Sequence, residues 1–571
     1  MTAIAYFNKF SSYCRMVAHA KSLANRSVLI DHCGLERIDL TSECNNIDHV
    51  YSIEKETKRG FSKLSLIEFK SNEDAENLVK QAQHNEGLLP VPLKILRYNG
   101  RASDRPAGEK LPFTTEHVRL SCDRELSPSF SSYTELVSNN SMSLAALKLR
   151  FITLVNFERI LCSGMFDEYE LMPFGSSVID MGCESGDLDL IITRKIDHYK
   201  QIRNAIDNLH RYPRQEQSAS KLVHLDKSIY SETKDNSGFR GTMRWFDHLL
   251  REYMPLTDGF GVLTLHRAKV PIIKFTSRIT NVECDLSFDL GLDHRDNDLM
   301  SMINPGILMT EVLYSLCRRN NLIAAFVIYM RIFAKLNSIT SKMPGVGMTN
   351  FQFLSLLIFF LQRVNVSIQS HSSASNSSSS SNQHHYDNDQ GDGVSRQGQY
   401  AVALVKSRDQ QALVPPFKEL INSGFLDDDT SKRVYFENDE LNQILPLMIV
   451  RFFRFYSNFD FASNSLNLFE SKQERKLDNS SIYVTNPIET SRNICHNVNR
   501  KALDTFVKQV RYASAHIRAD RSGNCPLSLI KNLMIKHQRQ AKKTRTLGNN
   551  LEELDDTQPF NPDGIAQDVC R

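Results

Sequence analysis

The hydrophobic and polar positions change period several times along the chain. In "LAALKLRFITLVNFERILCSG" the residues Leu144, Leu147, Ile152, Val155 and Ile160 form an apolar stripe that predicts a helix. Alternating helical and strand patterns follow to about residue 300, and from 305 to 362 the pattern is helical and strongly apolar. Helical periodicity returns in "LNQILPLMIVRFFRFYSNF" and "RKALDTFVKQVRYASAHI". Between these, 364–400 carries nine Ser from 370 to 381 and too little apolar surface to fold, which predicts a disordered insertion. Its adjacent His384 and His385 read as part of a solvated loop.

Nearer the N-terminus, 27–98 reads as strand, helix, strand, strand, helix, strand. "SVLID" is the first strand, "HVYSIE" and "SKLSLIEF" are a strand pair, and "NEDAENLVKQAQH" is a helix capped by Asn72. This order resembles an RNA-recognition-motif domain. Such domains stack bases on aromatic residues of the central strands, but here the matching positions are Leu29, Leu64 and Leu66. Leucine cannot stack, so the expectation is an exposed apolar sheet face serving as a protein contact, specifically a homodimer contact. Residues 101–140 are rich in Ser, Pro and Arg and read as a linker.

Composition narrows the field. A 571-residue chain has room for several domains. Its net charge, 69 − 66 = +3, does not announce a nucleic-acid partner. Eleven cysteines without a CxxC pair favour reduced thiols over a zinc framework. The longest apolar run, "FLSLLIFFL" at 353–361, is too short to span a membrane. The first acid is Asp31, preceded by Lys9, Arg15, Lys21 and Arg26, with Ile4, Phe7 and Phe10 at helical spacing. That basic, acid-free pattern predicts a mitochondrial targeting leader over 1–26. The tail from 521 is basic from Lys531 to Arg545 and then acidic.

The chemistry concentrates in "FGSSVIDMGCESGDLDLIIT", 174–193. Residues two apart on a strand share a face, so Asp187 and Asp189 point one way while Leu188, Leu190 and Ile192 point into a core. Carboxylates so placed repel unless a cation lies between them, and a hard divalent ion suits oxygen ligands and substrate phosphates. The Gly175-Ser176 turn offers backbone N–H groups and a hydroxyl to a triphosphate. "VPIIKFTSRITNVECDLSF" reads as two strands joined by a turn, and its Asp285 is an acid in an apolar run that calls for a partner.

Gly175-Ser176, Asp187-x-Asp189 and Asp285 together resemble the poly(A) polymerases of the DNA-polymerase-β nucleotidyltransferase superfamily, over roughly 140–517. "MTNFQFLSLLIFFLQR" at 348–363 and "YVTNPIETSRNI" at 483–494 resemble further family motifs. The resemblance implies an α+β architecture: a nucleotidyltransferase palm (mixed sheet with helices) over 141–300, then a helical poly(A)-polymerase-associated domain over 301–520. It implies Mg²⁺ or Mn²⁺ held by Asp187, Asp189 and Asp285, ATP and an RNA 3′ end as substrates, and Asp285 helping to deprotonate the primer hydroxyl. Gly175 and Ser176 would meet the triphosphate, and Arg331 and Lys335, one turn apart, would face its β- and γ-phosphates. Asn304 and Thr310 fall at ribose-contacting positions, Asn350 at a phosphate contact and Phe351 under the base. Glu489 would support the last loop and Asn493 would lie near the sugar or base. Uridylyl-transferring relatives carry a histidine where this chain has Arg492, which implies ATP as the preferred nucleotide. The expected activity is template-independent RNA 3′ adenylylation in mitochondria. A terminal uridylyltransferase and a catalytically dead RNA-binding scaffold are the alternatives.

Overall fold

The computed structural model describes residues 11–31, 46–83, 95–97, 114–120, 127–162, 169–195, 243–288, 304–364, 412–422, 434–519 and 526–540, with short breaks inside some of these ranges. Residues 1–10, the predicted helix after the first strand, the segment 289–303, the Ser-rich insertion and the acidic tail lie outside them. The chain falls into two compact units. The first draws on 1–337, 424–441 and 520–571, and the second on 338–423 and 442–519.

The first unit opens with helix α1 (Ser11–Asn25), in the stretch expected to be a leader. Tyr13, Val17 and Ala24 are buried, as core residues are. The Tyr13 hydroxyl donates to Pro173 O at 2.5 Å, and the Ser12 hydroxyl donates to Glu311 Oε1 at 3.0 Å. Lys21 Nζ meets Glu158 at 2.7 Å and Glu170 at 3.5 Å. Hydrophobic spacing and basic residues are common to a targeting helix and to a core helix. Here Ser11–Asn25 is a core helix, so a leader running to 26 is corrected.

Strands β1 (Ser27–Asp31), β2 (Ile47–Thr57) and β3 (Gly60–Phe69) follow, then α2 (Asn72–Gln83), β4 (Ile95–Arg97) and β5 (Thr114–Leu120). The sheet order is β4-β1-β3-β2-β5. The β2–β3 pairing matches the expected strand pair. The oxygen capping α2 comes from Ser71, whose Oγ accepts from Asp74 N at 3.1 Å, and not from Asn72. Strand β5 and helix α3 (Tyr133–Asn140) stand where a linker was expected. "TTEHVRL" is polar over its first four residues and carries only Val118 and Leu120 as apolar positions, and its pairing with β2 outweighs the breaker-rich flanks.

The largest correction concerns the sheet's leucines. Leu29, Leu64 and Leu66 are buried against Ala145, Ala146, Leu149 and Ile152 of α4 (Leu144–Leu161). The opposite face packs on Ala75 and Val79 of α2. Among the described residues this leucine face is not open as expected, because the chain covers it with its own helix. Burial of each such leucine contributes roughly 1.5–3 kcal/mol. The predicted stripe on α4 is likewise incomplete: Leu144 is 57% exposed, whereas 149–157 is buried all round. A helix apolar all round needs cover on all sides. On its far side Phe157 meets Phe275 at 4.8 Å between ring centroids, and the Thr153 and Thr280 hydroxyls share a 2.7 Å hydrogen bond.

The palm sheet comprises β6 (Tyr169–Phe174), β7 (Leu188–Arg194), β8 (Leu263–Leu265), β9 (Ile272–Thr276) and β10 (Glu283–Phe288), in order β6-β7-β10-β9-β8. Strands β7 and β10 are parallel and central, the rest antiparallel. Helices α5 (Pro305–Arg319) and α6 (Asn321–Leu336) also belong to this unit, so the division falls after them and not at 300/301. A helix at 526–540 buries Leu527, Ile530 and Met534, and Tyr329 donates to Pro526 O at 2.6 Å. The expected tail therefore begins with a packed helix.

The second unit holds α7 (Asn350–Leu361), α8 (Phe417–Asn422), α9 (Asn438–Ser457), a small sheet of β11 (Asn464–Asn467), β12 (Lys472–Arg475) and β13 (Val484–Thr485), and α10 (Arg500–Ala519). Aromatic packing joins them: Phe353, Phe452, Tyr456 and Phe506 meet edge to face or tilted. No described helix is long and apolar enough to cross a membrane.

Candidate active site

Parallel pairing of β7 and β10 sets Asp285 directly beside Asp189. Asp187 immediately precedes β7, two residues before Asp189. A third carboxylate thus lies on a neighbouring strand, and β10 is central, not an edge. Burial first, then Asp285 and Asp187, push the Asp189 carboxyl up to about 7. Burial also raises Asp285, opposed by Lys274, whose Nζ lies 2.5 Å from Asp285 Oδ2. Lys274 is the cross-strand partner of Asp285 on β9, so the register itself brings this cation in.

The turn before these acids is held tightly. Gly175 has φ +80°, a conformation that favours glycine. A Cβ there would lie 2.4 Å from Asp189 Oδ2, so only glycine lets the backbone approach the carboxylate. Its N–H donates to Thr310 Oγ1 at 2.9 Å, and that hydroxyl donates to Gly306 O at 2.7 Å. Thr310 is buried and its one hydroxyl proton is spent on Gly306 O, so its side chain positions the turn. Asn304 caps α5 by accepting from Gly306 N at 2.8 Å. Ser176 opens a short 3₁₀ turn, Ser176–Val178.

Two arginines clamp the segment between this turn and Asp187. Arg150 of α4 donates through one nitrogen to Glu184 O at 2.9 Å, Gly186 O at 2.6 Å and Cys183 O at 3.5 Å. Arg331 of α6 donates to Met181 O and lies 3.8 Å from Cys183 Sγ. Its guanidinium therefore braces the loop, which differs from the phosphate contact expected of it. Lys335, one turn on, is exposed. Sequence reading missed Arg150, Lys274 and Tyr13. Arg150 was visible as a lone cation in "LRFITLV", and Lys274 as a lone cation in "VPIIKFT".

Among the described residues no group of three His, Cys, Asp or Glu side chains converges as a metal site. Asp285 is paired with Lys274. The chemistry of the donor set still suits a hard divalent cation. It is all carboxylate oxygen, it sits beside a cradle that a Cβ would fill, and burial together with repulsion from Asp285 and Asp187 holds Asp189 near 7.

The other expected nucleotide contacts lie in the second unit, where the structure brings them together. Thr349 caps α7 in a reciprocal arrangement with Gln352. Gln352 Nε2 donates to Ile494 O at 3.2 Å, joining the start of α7 to the loop 486–494. Asn350 is exposed, and Phe351 is 39% exposed while Phe353, Phe359 and Phe360 are buried. Arg492 Nη1 donates to Glu489 Oε2 at 2.7 Å, and Asn486 Oδ1 accepts from Ile488 N and Glu489 N. Glu489 therefore braces the loop from within. Asn493 is buried, accepts from Val484 N and Cys495 N, and donates to Ser480 Oγ and Ile482 O. It is a strut of the loop, with no capacity left for a sugar or base.

The fold and this arrangement resemble those of the nucleotidyltransferases. Residues 131–303 match the family described as poly(A) RNA polymerase, mitochondrial-like, central palm domain. The mouse protein named poly(A) RNA polymerase, mitochondrial, is 24% identical over 82% of this chain and 71% of its own length. The human protein of that name is 25% identical over 68% of this chain and 56% of its own. The solved structure of mtPAP in complex with ATPγS superposes with a TM-score of 0.60 at 19% identity, over 91% of this chain and 99% of that one. The GTP complex of mtPAP gives 0.61, also at 19% identity and over 91% and 99%. Residues 131–303 thus match a palm of the mitochondrial poly(A) polymerase kind, and the chain resembles those enzymes over most of its length.

Proposed function

We propose that this protein extends RNA 3′ ends with adenylate from ATP, without a template, in mitochondria. The observation that carries the reading is the in-register pair Asp189–Asp285 beneath the Gly175 turn. Asp187, Asp189 and Asp285 would hold Mg²⁺ or Mn²⁺, which when bound stabilises charge on the attacking and leaving oxygens. The Gly175-Ser176 turn presents its backbone and hydroxyl to the triphosphate, and Lys335 offers a cation to the terminal phosphates. Asp285 takes the proton of the primer 3′-hydroxyl. The oxygen attacks the α-phosphate in line, the bond to the β-phosphate oxygen breaks, and pyrophosphate leaves. Arg150, Arg331 and Thr310 act through the loop and turn they fix. In the second unit Phe351 offers an aromatic face to the base, and Asn350 a polar contact.

The relatives' names support mitochondrial location. We place the protein in the matrix, with its import signal in the acid-free first residues, which include Lys9, and any processing upstream of Ser11. Incubating the purified protein with an oligo(A) primer and each NTP in turn, with Mg²⁺ or Mn²⁺, tests the activity. Extension with ATP above the other nucleotides is the expected result. Equal use of UTP replaces the reading with a uridylyltransferase, and no extension at all leaves the scaffold reading.

A further inference from the structure

Helix α10 has two unlike faces. Ala502, Leu503, Phe506, Val510 and Ala513 are buried, and Phe506 packs on Tyr456 of α9 at 5.6 Å between ring centroids. The opposite face exposes Lys501, Arg511 and Tyr512, with Lys508 beside them on the same helix. Its one acid, Asp504, is already bonded to Arg500 at 3.1 Å. Arg511 Nε donates to Ser457 O at 3.3 Å, which brings this face to the end of α9. There Arg454 is exposed, and burial together with Arg454 lowers the pKa of Arg451. Among the described residues no ion pair compensates Arg451, Arg454, Lys508 or Arg511. Like charges gathered without a counter-charge are a cost that an anionic partner relieves. Tyr512, 56% exposed, lies nearly parallel to His516, at 18° and 6.0 Å between centroids.

A cationic strip beside an exposed aromatic ring matches a ligand with a repeated negative backbone and flat faces. We propose that the α9–α10 face binds single-stranded RNA, the body of the strand whose 3′ end is extended. This rests on the adenylyltransferase reading. A paired RNA would offer its phosphates but not its bases, so Tyr512 selects for the single strand. A helix C-terminus attracts cations too, and capping α9 is the plain alternative for Arg454 and Arg511.

The test uses the full chain and labelled oligo(A), with fluorescence anisotropy read over a range of salt. Arg454→Glu with Lys508→Glu should weaken binding about tenfold or more. It should also flatten the dependence of log affinity on log salt by about 0.7 for each phosphate that the protein no longer neutralises. Tyr512→Ala should weaken binding about fivefold with the slope unchanged. Thermal midpoint and binding of a fluorescent ATP analogue should stay at wild-type levels in both variants. Unchanged RNA affinity in stably folded variants overturns the proposal and leaves the cations as helix caps. Failure of the wild type to extend a primer would instead defeat the adenylyltransferase reading, and the RNA-affinity result would stand by itself.

Discussion

The Thr310 hydroxyl accepts from the Gly175 N–H at 2.9 Å, so a helix residue 135 positions away fixes the turn. Both groups are shielded, and an N–H left without its acceptor costs about 1–3 kcal/mol. Thr310→Val keeps the shape and removes the acceptor. The expected outcome is a raised KM for ATP, about tenfold, and a modestly lowered melting temperature, with Thr310→Ser restoring both. Steady-state kinetics at saturating primer would measure it. An unaltered KM would mean that Gly175 holds its conformation without help.

Asp187→Asn and Asp189→Asn should each lower extension more than about a hundredfold, the scale of losing one key electrostatic stabiliser. Neither should unfold the protein. Asp189 is protonated in the fold up to about pH 7, well above the ordinary 3.8. A raised carboxyl contributes stability below its unfolded pKa and loses it as pH rises through the folded one. Melts in EDTA should therefore show stability falling between about pH 4 and 7, and Asp189→Asn should flatten that fall. A midpoint that rises with pH across this window would contradict the repulsive arrangement.

Helix α1 is fastened by Tyr13, Ser12 and Lys21 to β6, α5 and α4. Truncation through Asn25 should lower the melting temperature sharply and abolish extension. Tyr13→Phe removes only the donor to Pro173 O, two residues before Gly175. It should reduce stability by about 1–3 kcal/mol. Urea unfolding monitored by circular dichroism would give the value, and full stability of the truncated protein would show α1 to be expendable.

Leu66 is 1% exposed beneath α4. Leu66→Asp should unfold the N-terminal sheet in the full chain, because it buries a charge without a partner. Thermal melts would report the loss. A variant of wild-type stability that merely changes its sedimentation would return this face to a role between copies of the chain.

The acids were legible because their signal is local. An alternating strand, a glycine and an acid in an apolar run each follow from neighbours in sequence, and the strands that carry Asp189 and Asp285 pair side by side. Thr310, Arg331 and Asn493 are placed by the same motifs, but their side chains serve the backbone around them. Nothing local in sequence tells an arginine that reaches a phosphate from one that reaches Met181 O. The extent of the leader to residue 26 and the openness of the leucine face were misjudged for a related reason. Amphipathic periodicity states that a face will be covered and is silent on what covers it. For Tyr13 the cover was β6 and α5, far along the chain, and for Leu64 it was α4.

The bond from Ser12 to Glu311 joins positions 299 apart, and it carries a consequence for the order of folding. Closing a loop of that length costs about 5 kcal/mol in chain entropy before a contact is gained. Helix α1 is the first described element to leave the ribosome; it can pack on α4 and β6 early, but its seat is completed only when α5 exists. Thr310, neighbour of Glu311 on the same helix, holds Gly175, so the turn also waits for α5. A chain caught before that moment has its palm strands but an unset turn. Such a chain would be recognisable in a refolding experiment as strand signal that precedes any capacity to bind ATP.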